Sequence, residues 1–464
     1  MSEQSPVYPY IPNSAPVAKE QMLRAIGAKS VDELYADIPD RLRVKGRLDL
    51  PAPLHSEAEL VRHVDGLLNR NRSTRETLSF LGAGCYQHQV PAVCDEINSR
   101  GEFLTAYAGD PYEDHGRFQA LFEYESLMAE LLNLDVVNVP NYDGFQAAAT
   151  ALRMASRITG RTRILLPVNM GADKLSKVRE YLKPDITIEA VPFDDATGLL
   201  DVPALDARLD GSIAAVYFEN PTFLGSIETQ PDRVSAAAHA AGALCVVSVD
   251  PLSLGVLKPP VEYGADIVCG DIQTLGIHMQ YGGGHGGFIA TCDDPRFVME
   301  FPSRLFGIAP TFVDGEYGFG DVAYERTSFA VREEGKEWVG TAAALWGITA
   351  GVYLALMGPQ GMVEIGEGIM QRCRYLSTRI ARIPGLAVPF ARTPHFNEFV
   401  VNVDGAGTSA AAINKALLER DIFGGKDLSG ECPALGQSLL FCVSEVHTQA
   451  DLDRLVATLT EVVP

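Results

Sequence analysis

The stretch from 243 to 291 constrains this chain more than any other. An apolar run at 243–249 ends in Asp250, a second at 265–269 leads into a polar turn, and a glycine-rich corner at 282–287 opens a third run from Phe288. Short apolar runs rich in β-branched residues and bounded by Gly, Pro and Asp read as buried strands. An acid at the carboxyl end of a parallel strand stands where open α/β sheets hold their ligands. Chemistry, if the chain carries any, is expected around Asp250.

An acid closing one strand, then a strand, a polar turn and a glycine corner, resembles the large domain of the aspartate-aminotransferase-like pyridoxal phosphate enzymes, fold type I. In that layout the acid pairs with the pyridinium nitrogen and a lysine in the turn forms the Schiff base. Here Thr274, 24 positions after Asp250, stands about where that lysine falls. Between Lys258, in a proline-flanked loop, and Lys336 there is no lysine at all. The frame is present without its central residue.

The remaining sequence fits an α/β protein of that class, with a mostly parallel sheet in a large domain and a smaller C-terminal α/β domain. Residues 1–75 read as an N-terminal helical arm. Ser30 with Glu33 and Ser56 with Glu59 match the capping box, and Leu60, Val64, Leu67 and Leu68 form one apolar stripe. Residues 76–346 alternate strand-like and helix-like segments, the pattern of a sheet covered on both faces. Strands are expected at 135–139, 163–168, 186–191 and 214–219. Tyr142-Asp-Gly144 should open an alanine-rich helix whose free amides make an anion site. Residues 347–464 predict a long helix at 361–383, strands at 399–403 and 438–443, a helix at 408–420 and a final helix capped by Thr448 with Asp451.

Composition removes whole classes of function. With 47% hydrophobic residues the chain can bury large cores, and 60 acids against 38 bases give a formal charge of −22 with no basic cluster. Nucleic acid and anionic membrane are excluded as partners on that ground. The start has no basic or apolar leader and no run approaches the about 18 apolar residues of a membrane span. The eight cysteines form no Cys-x-x-Cys pair, and several lie in apolar strands. A cytoplasmic protein with reduced thiols is expected.

Other motifs carry less. Gly282, Gly284 and Gly287 satisfy the dinucleotide fingerprint literally, but they precede a strand instead of opening a helix. Close backbone approach is the better reason for them. His278 and His285 flank the corner with Cys269 near, but no conventional metal-ligand spacing relates them, so no metal is expected. The loop around Tyr107, Tyr112 and His115 crowds aromatics, acids and a histidine before a helix. Arg332 could grip a carboxylate through paired N–H donors.

Taken together, Tyr10-Ile-Pro-Asn13, Phe80-Leu-Gly-Ala-Gly-Cys-Tyr-Gln-His88, Ala120-Leu-Phe-Glu123, Tyr142-Asp-Gly144, Asp250-Pro-Leu-Ser-Leu-Gly255, Phe396-Asn-Glu-Phe399 and Phe423-Gly-Gly425 resemble the P-protein family of the glycine cleavage system. The likeness is to the first subunits of its two-subunit glycine dehydrogenases (decarboxylating), and it covers nearly the whole chain. It implies a degenerate fold type I copy, active only with a lysine-bearing second subunit that binds pyridoxal phosphate. It further implies an α2β2 assembly, glycine as the small amino-acid substrate, and transfer of the aminomethyl group to the lipoyl H-protein. Tyr107, Tyr112, His115, Tyr142 and Arg332 become candidates for substrate or interface contacts. The chain departs from the family at 107–116 and 332–338. A paralogue acting on another small amino acid, a structural or regulatory subunit, and a stand-alone enzyme using Lys336 or Lys258 are the alternatives.

Overall fold

The computed structural model describes residues 7–46, 48–104, 115–322, 324–328, 331, 333 and 343–463. Tyr107, Tyr112, Arg332 and Lys336 lie outside the described residues, as does the side chain of His115. Two compact units result, one ending at Arg72 and one beginning at Ser73.

The first unit holds the helices Pro16–Ala25 and Glu57–Leu68 with short 3-10 turns, and none of these elements buries a residue. Ser56 caps its helix by accepting from the Glu59 amide at 3.2 Å. Ser30 does not cap: the turn Val31–Tyr35 is 3-10, and it is the Glu33 carboxylate that accepts, from the Lys29 amide at 3.1 Å. A 3-10 turn satisfies its amides at shorter spacing, so the box expected there does not form. The stripe of Leu60, Val64, Leu67 and Leu68 is formed as expected but lies exposed.

The second unit is built on a seven-stranded sheet. Its spatial order is Val136–Val137, Gly287–Thr291, Ile267–Asp271, Leu244–Val249, Ile213–Glu219, Arg163–Pro167 and Thr187–Val191, and only Gly287–Thr291 runs against its neighbours. Strands buried on both faces need continuous apolar runs, and Ile213–Glu219 and Leu244–Val249 are buried at every position. Period-two alternation then divides them. Val216, Phe218, Cys245 and Val247 enter one core, against Tyr124 and Met128 of the helix His115–Leu132 and Tyr353 of the helix Ala344–Ile380. Tyr217, Leu244 and Val246 enter the other, against Ala148 and Leu152 of the helix Gly144–Thr159 and Val178 of Ala172–Leu182. The result is a three-layer sandwich.

The helix Ala344–Ile380 leaves the large sheet and becomes the spine of the C-terminal part, kinked at Gly358 ahead of Pro359. The expected boundary near Gly347 therefore falls inside a helix. Beyond it a three-stranded antiparallel sheet (Glu398–Asn402, Ser438–Cys442, Lys426–Asp427) packs with the helices Ala410–Leu418 and Gln449–Val462. Thr448 and Asp451 form the complete capping box. Leu78–Ser79 pairs in parallel with Ile422–Phe423, and Phe80 joins the C-terminal core, stacked on His447 at 4.7 Å between ring centroids. A hairpin of Phe306–Pro310 with Tyr317–Asp321 has no counterpart in the sequence reading.

Candidate active site

The carboxyl ends of Ile213–Glu219, Leu244–Val249 and Ile267–Asp271 open onto a cavity of about 260 Å³, which also takes in the loop of Cys85 and Tyr86 and the start of the helix Gly144–Thr159. Each parallel strand contributes the residue at its end, because side chains there leave the sheet and face the crevice. Those residues are Glu219, Asp250 and Asp271. All three are acids.

Asp250 and Thr274 meet as their spacing predicts. The Thr274 hydroxyl donates to Asp250 Oδ1 at 2.7 Å, and the Leu252 amide donates to the same oxygen at 3.0 Å. Burial pushes the Asp250 carboxyl up, against the opposing pull of the Thr274 hydroxyl. Threonine thus fills the position from which a lysine would reach a carbonyl. It offers a hydroxyl but no amine.

The helix start expected to hold an anion is already satisfied. Asp143 Oδ1 accepts from the Gln146 amide at 3.0 Å, as an N-cap should. Asp271 Oδ2 accepts from the Gly144 amide at 3.0 Å. Two carboxylates therefore sit where a phosphate would have to sit. The glycine corner permits this closeness: Gly287 exchanges backbone hydrogen bonds with Asn141, and a Cβ on Gly287 would meet the Asp143 carbonyl oxygen at 2.1 Å. Burial lifts the Asp271 carboxyl to about 6, with His285 working in the other direction. His285 is buried on the cavity wall, and its Nε2 lies 2.7 Å from the Met279 carbonyl oxygen. His278 is exposed and bonds Asp95, so the two histidines do not converge.

The lysines of the cavity are also committed. Lys174 Nζ donates to Glu219 Oε1 at 2.5 Å and to the Ser248 hydroxyl at 3.3 Å. Burial alone would favour its neutral form, but Glu219 and its neighbours hold it protonated well above the usual lysine range. Lys177 pairs with Asp173 and Lys426 with Glu431, each at 2.7 Å. Lys258 is exposed and does not line the cavity.

A pyridoxal phosphate site needs an imine-forming amine and a seat for the phosphate. The residues present supply neither, and this chain's own cavity does not fit the cofactor. Of the candidates read from sequence, Thr274 lines the cavity, while Tyr142 is half-exposed outside it. Sequence reasoning missed Lys174, Glu219, Asp143, Asp271 and the buried Glu398, which accepts from the Ala83 amide at 2.6 Å and the Tyr86 hydroxyl at 3.0 Å. Glu219 and Asp271 had a visible signal, an acid at a strand end.

The chain is 38% identical to a probable glycine dehydrogenase (decarboxylating) subunit 1 of Staphylothermus marinus, over 98% of each chain. It is 36% identical to the like-named protein of Desulfitobacterium hafniense, over 98% of this chain and 99% of that one. A crystal structure of an inhibitor-bound glycine decarboxylase (P-protein) of the glycine cleavage system superposes with a TM-score of 0.83 at 34% identity, over 98% of this chain and all of the other. A sphingosine-1-phosphate lyase of Burkholderia pseudomallei, 15% identical with a TM-score of 0.64 over 92% of this chain and 94% of its own, shares the fold. Among the described residues no helix is long and apolar enough to cross a membrane. The sequence profile of the glycine cleavage system P-protein matches residues 9–459, and the chain belongs to that family.

Proposed function

We infer that this chain is the lysine-free first subunit of a two-subunit glycine decarboxylase, the P-protein of the glycine cleavage system. In that role it works in the cytoplasm with a lysine-bearing second subunit, two copies of each. The assembly decarboxylates glycine and passes the aminomethyl group to the lipoyl group of the H-protein. The observation that carries the reading is Thr274 hydrogen-bonded to Asp250 where an amine is required, with Lys174 held as a cation by Glu219. Pyridoxal phosphate is accordingly assigned to the partner, where it supplies the electron sink for loss of carbon dioxide. The exposed stripe of Glu57–Leu68 supports an obligate assembly, because an amphipathic helix gains stability by burying its apolar face.

Mixing the purified chain alone with pyridoxal phosphate and reducing with borohydride tests this directly. No lysine of this chain should carry the pyridoxyl group. In the co-purified assembly the label should fall on the partner alone. A labelled Lys174, Lys258 or Lys336 in this chain would overturn the assignment.

In this reading the loop at 107–115 lines the mouth of the partner's cleft, with Tyr107, Tyr112 and His115 as positioning groups and Tyr142 and Arg332 as further candidates. Its support is chemical: two tyrosines and a histidine can orient a small zwitterion. Tyr112→Ala or His115→Ala should lower turnover of glycine by the assembly roughly 10- to 100-fold, as loss of a positioning or acid–base group does. Gel filtration should show the assembly intact. Steady-state rates against a panel of small amino acids should rank glycine first, and full glycine activity in both variants would return the loop to solvent.

A further inference from the structure

A second concavity lies in the C-terminal part, between the helix Ala344–Ile380 and the loop 391–395. Its volume, about 650 Å³, falls within the roughly 300–1,000 Å³ of small-molecule sites. It shares no lining residue with the Asp250 cavity. From the helix, Gln371, Arg374, Ser377 and Thr378 face it at the i, i+3, i+6 and i+7 spacing of one helical side. Arg392 and His395 face it from the loop.

Charge makes this groove unlike the rest of the molecule. Acids outnumber bases 60 to 38 along the chain, yet among the described residues no acidic side chain lines the groove, while two arginines do. Among the described residues neither Arg374 nor Arg392 has an ion-pair or side-chain hydrogen-bond partner, and both are exposed. Two like charges left facing one concavity repel each other. An anion seated between them can be held by both.

His395 gives the groove an uncharged side. Its ring is tied to the backbone of Thr393, and burial holds it down at about 4, so it is neutral in the physiological range. Its Nε2 is sealed from solvent and has no hydrogen-bond partner among the described residues. A neutral imidazole bonded through one nitrogen offers a lone pair on the other. That nitrogen lies beneath the groove's surface, so the ring meets a ligand as an uncharged wall rather than as a cation.

We propose that this groove binds a small organic anion whose phosphate or carboxylate group is clamped by Arg374 and Arg392, with the uncharged His395 ring as one wall. Ser377 and Thr378 supply further hydroxyl contacts. Paired guanidinium forks suit either anionic group, since both present a pair of oxygens to bidentate N–H donors. The concavity is too large for a bare inorganic ion, and Met370 and Pro394 give its carbon skeleton apolar surface to cover.

Isothermal titration of the co-purified assembly with ribose 5-phosphate, citrate and inorganic phosphate tests the site. Saturable binding of ribose 5-phosphate or of citrate is expected, with inorganic phosphate weaker than either. Ribose 5-phosphate alone would identify a phosphoryl ligand, and citrate alone a carboxylate. Arg374→Gln combined with Arg392→Gln should weaken the binding by at least ~10-fold, the usual effect of losing a charge-assisted pair. Should the Gln pair disturb assembly on gel filtration, the Arg374→Lys and Arg392→Lys pair decides instead, keeping the charge but losing the fork. A weakening of ~3-fold or more would then support the site. The proposal fails if no probe binds saturably below ~10 mM, or if affinity is unchanged in the variants.

Discussion

Gly225→Ala is expected to cost about 2–5 kcal/mol of stability. Gly225 has a backbone φ of +84, and a Cβ there would lie 1.9 Å from the Glu398 carbonyl oxygen and 2.3 Å from its carbon. Left-handed backbone costs an L-residue roughly 1–2 kcal/mol. The clash is with backbone, not with a side chain that could rotate away, and forced overpacking adds about 1–3 kcal/mol more. The position also couples two parts of the fold, since the Phe396 amide donates to the Gly225 carbonyl at 3.0 Å and the Gly225 amide to Thr222 at 2.8 Å. Thermal unfolding of the assembly should show a midpoint several degrees lower. Gly211→Ala, where a Cβ meets nothing within 4 Å, serves as the control and should change little. A Gly225→Ala midpoint equal to that of the control would show that the loop yields freely.

Gly225 is also an example of what the sequence conceals. The large sheet is legible because strands buried on both faces must be continuous apolar runs, and 244–249 and 213–219 are such runs. The Asp250 and Thr274 relation is legible because both residues lie on consecutive elements, so a fixed spacing carries geometry. Contacts between distant segments carry no such signal. Asp271 takes the Gly144 amide across 127 residues, Tyr86 reaches Glu398 across 312, and His88 meets Glu445 at 2.7 Å across 357. The anion site expected at Gly144 was sound as local physics, and a carboxylate from another strand defeats it. The hairpin 306–321 escaped notice for another reason. Its second strand, Tyr-Gly-Phe-Gly-Asp, is only partly buried and alternates aromatic residues with glycine, where side-chain pairing signals are weak.

Glu398 should make the protein less stable at pH 8 than near pH 5. Burial, with the charge of Asp250 beside it, lifts this carboxyl from 4.5 to about 7, although the Ala83 amide and Tyr86 hydroxyl both favour its ionised form. An acid with a higher folded than unfolded pKa binds more protons in the folded state between the two values. Stability then falls as pH rises from about 4.5 to about 7, and levels off above. At about 1.4 kcal/mol for each tenfold change in proton affinity, the full effect approaches about 3 kcal/mol. Glu398→Gln removes the charge while its amide oxygen can still accept from Ala83 and its N–H can donate to the Tyr86 oxygen. The variant assembly should therefore be more stable than wild type at pH 8, by about 2 kcal/mol, and equal to it near pH 5. Asp271, lifted to about 6, acts in the same sense, so the measured quantity is the difference between the two denaturation curves across pH. Both proteins keep Asp271, and its contribution cancels in that difference. If the two stability profiles run parallel from pH 5 to 8, Glu398 titrates normally, and the cost of ionising it within the C-terminal sheet is relieved by a contact that only the assembly provides.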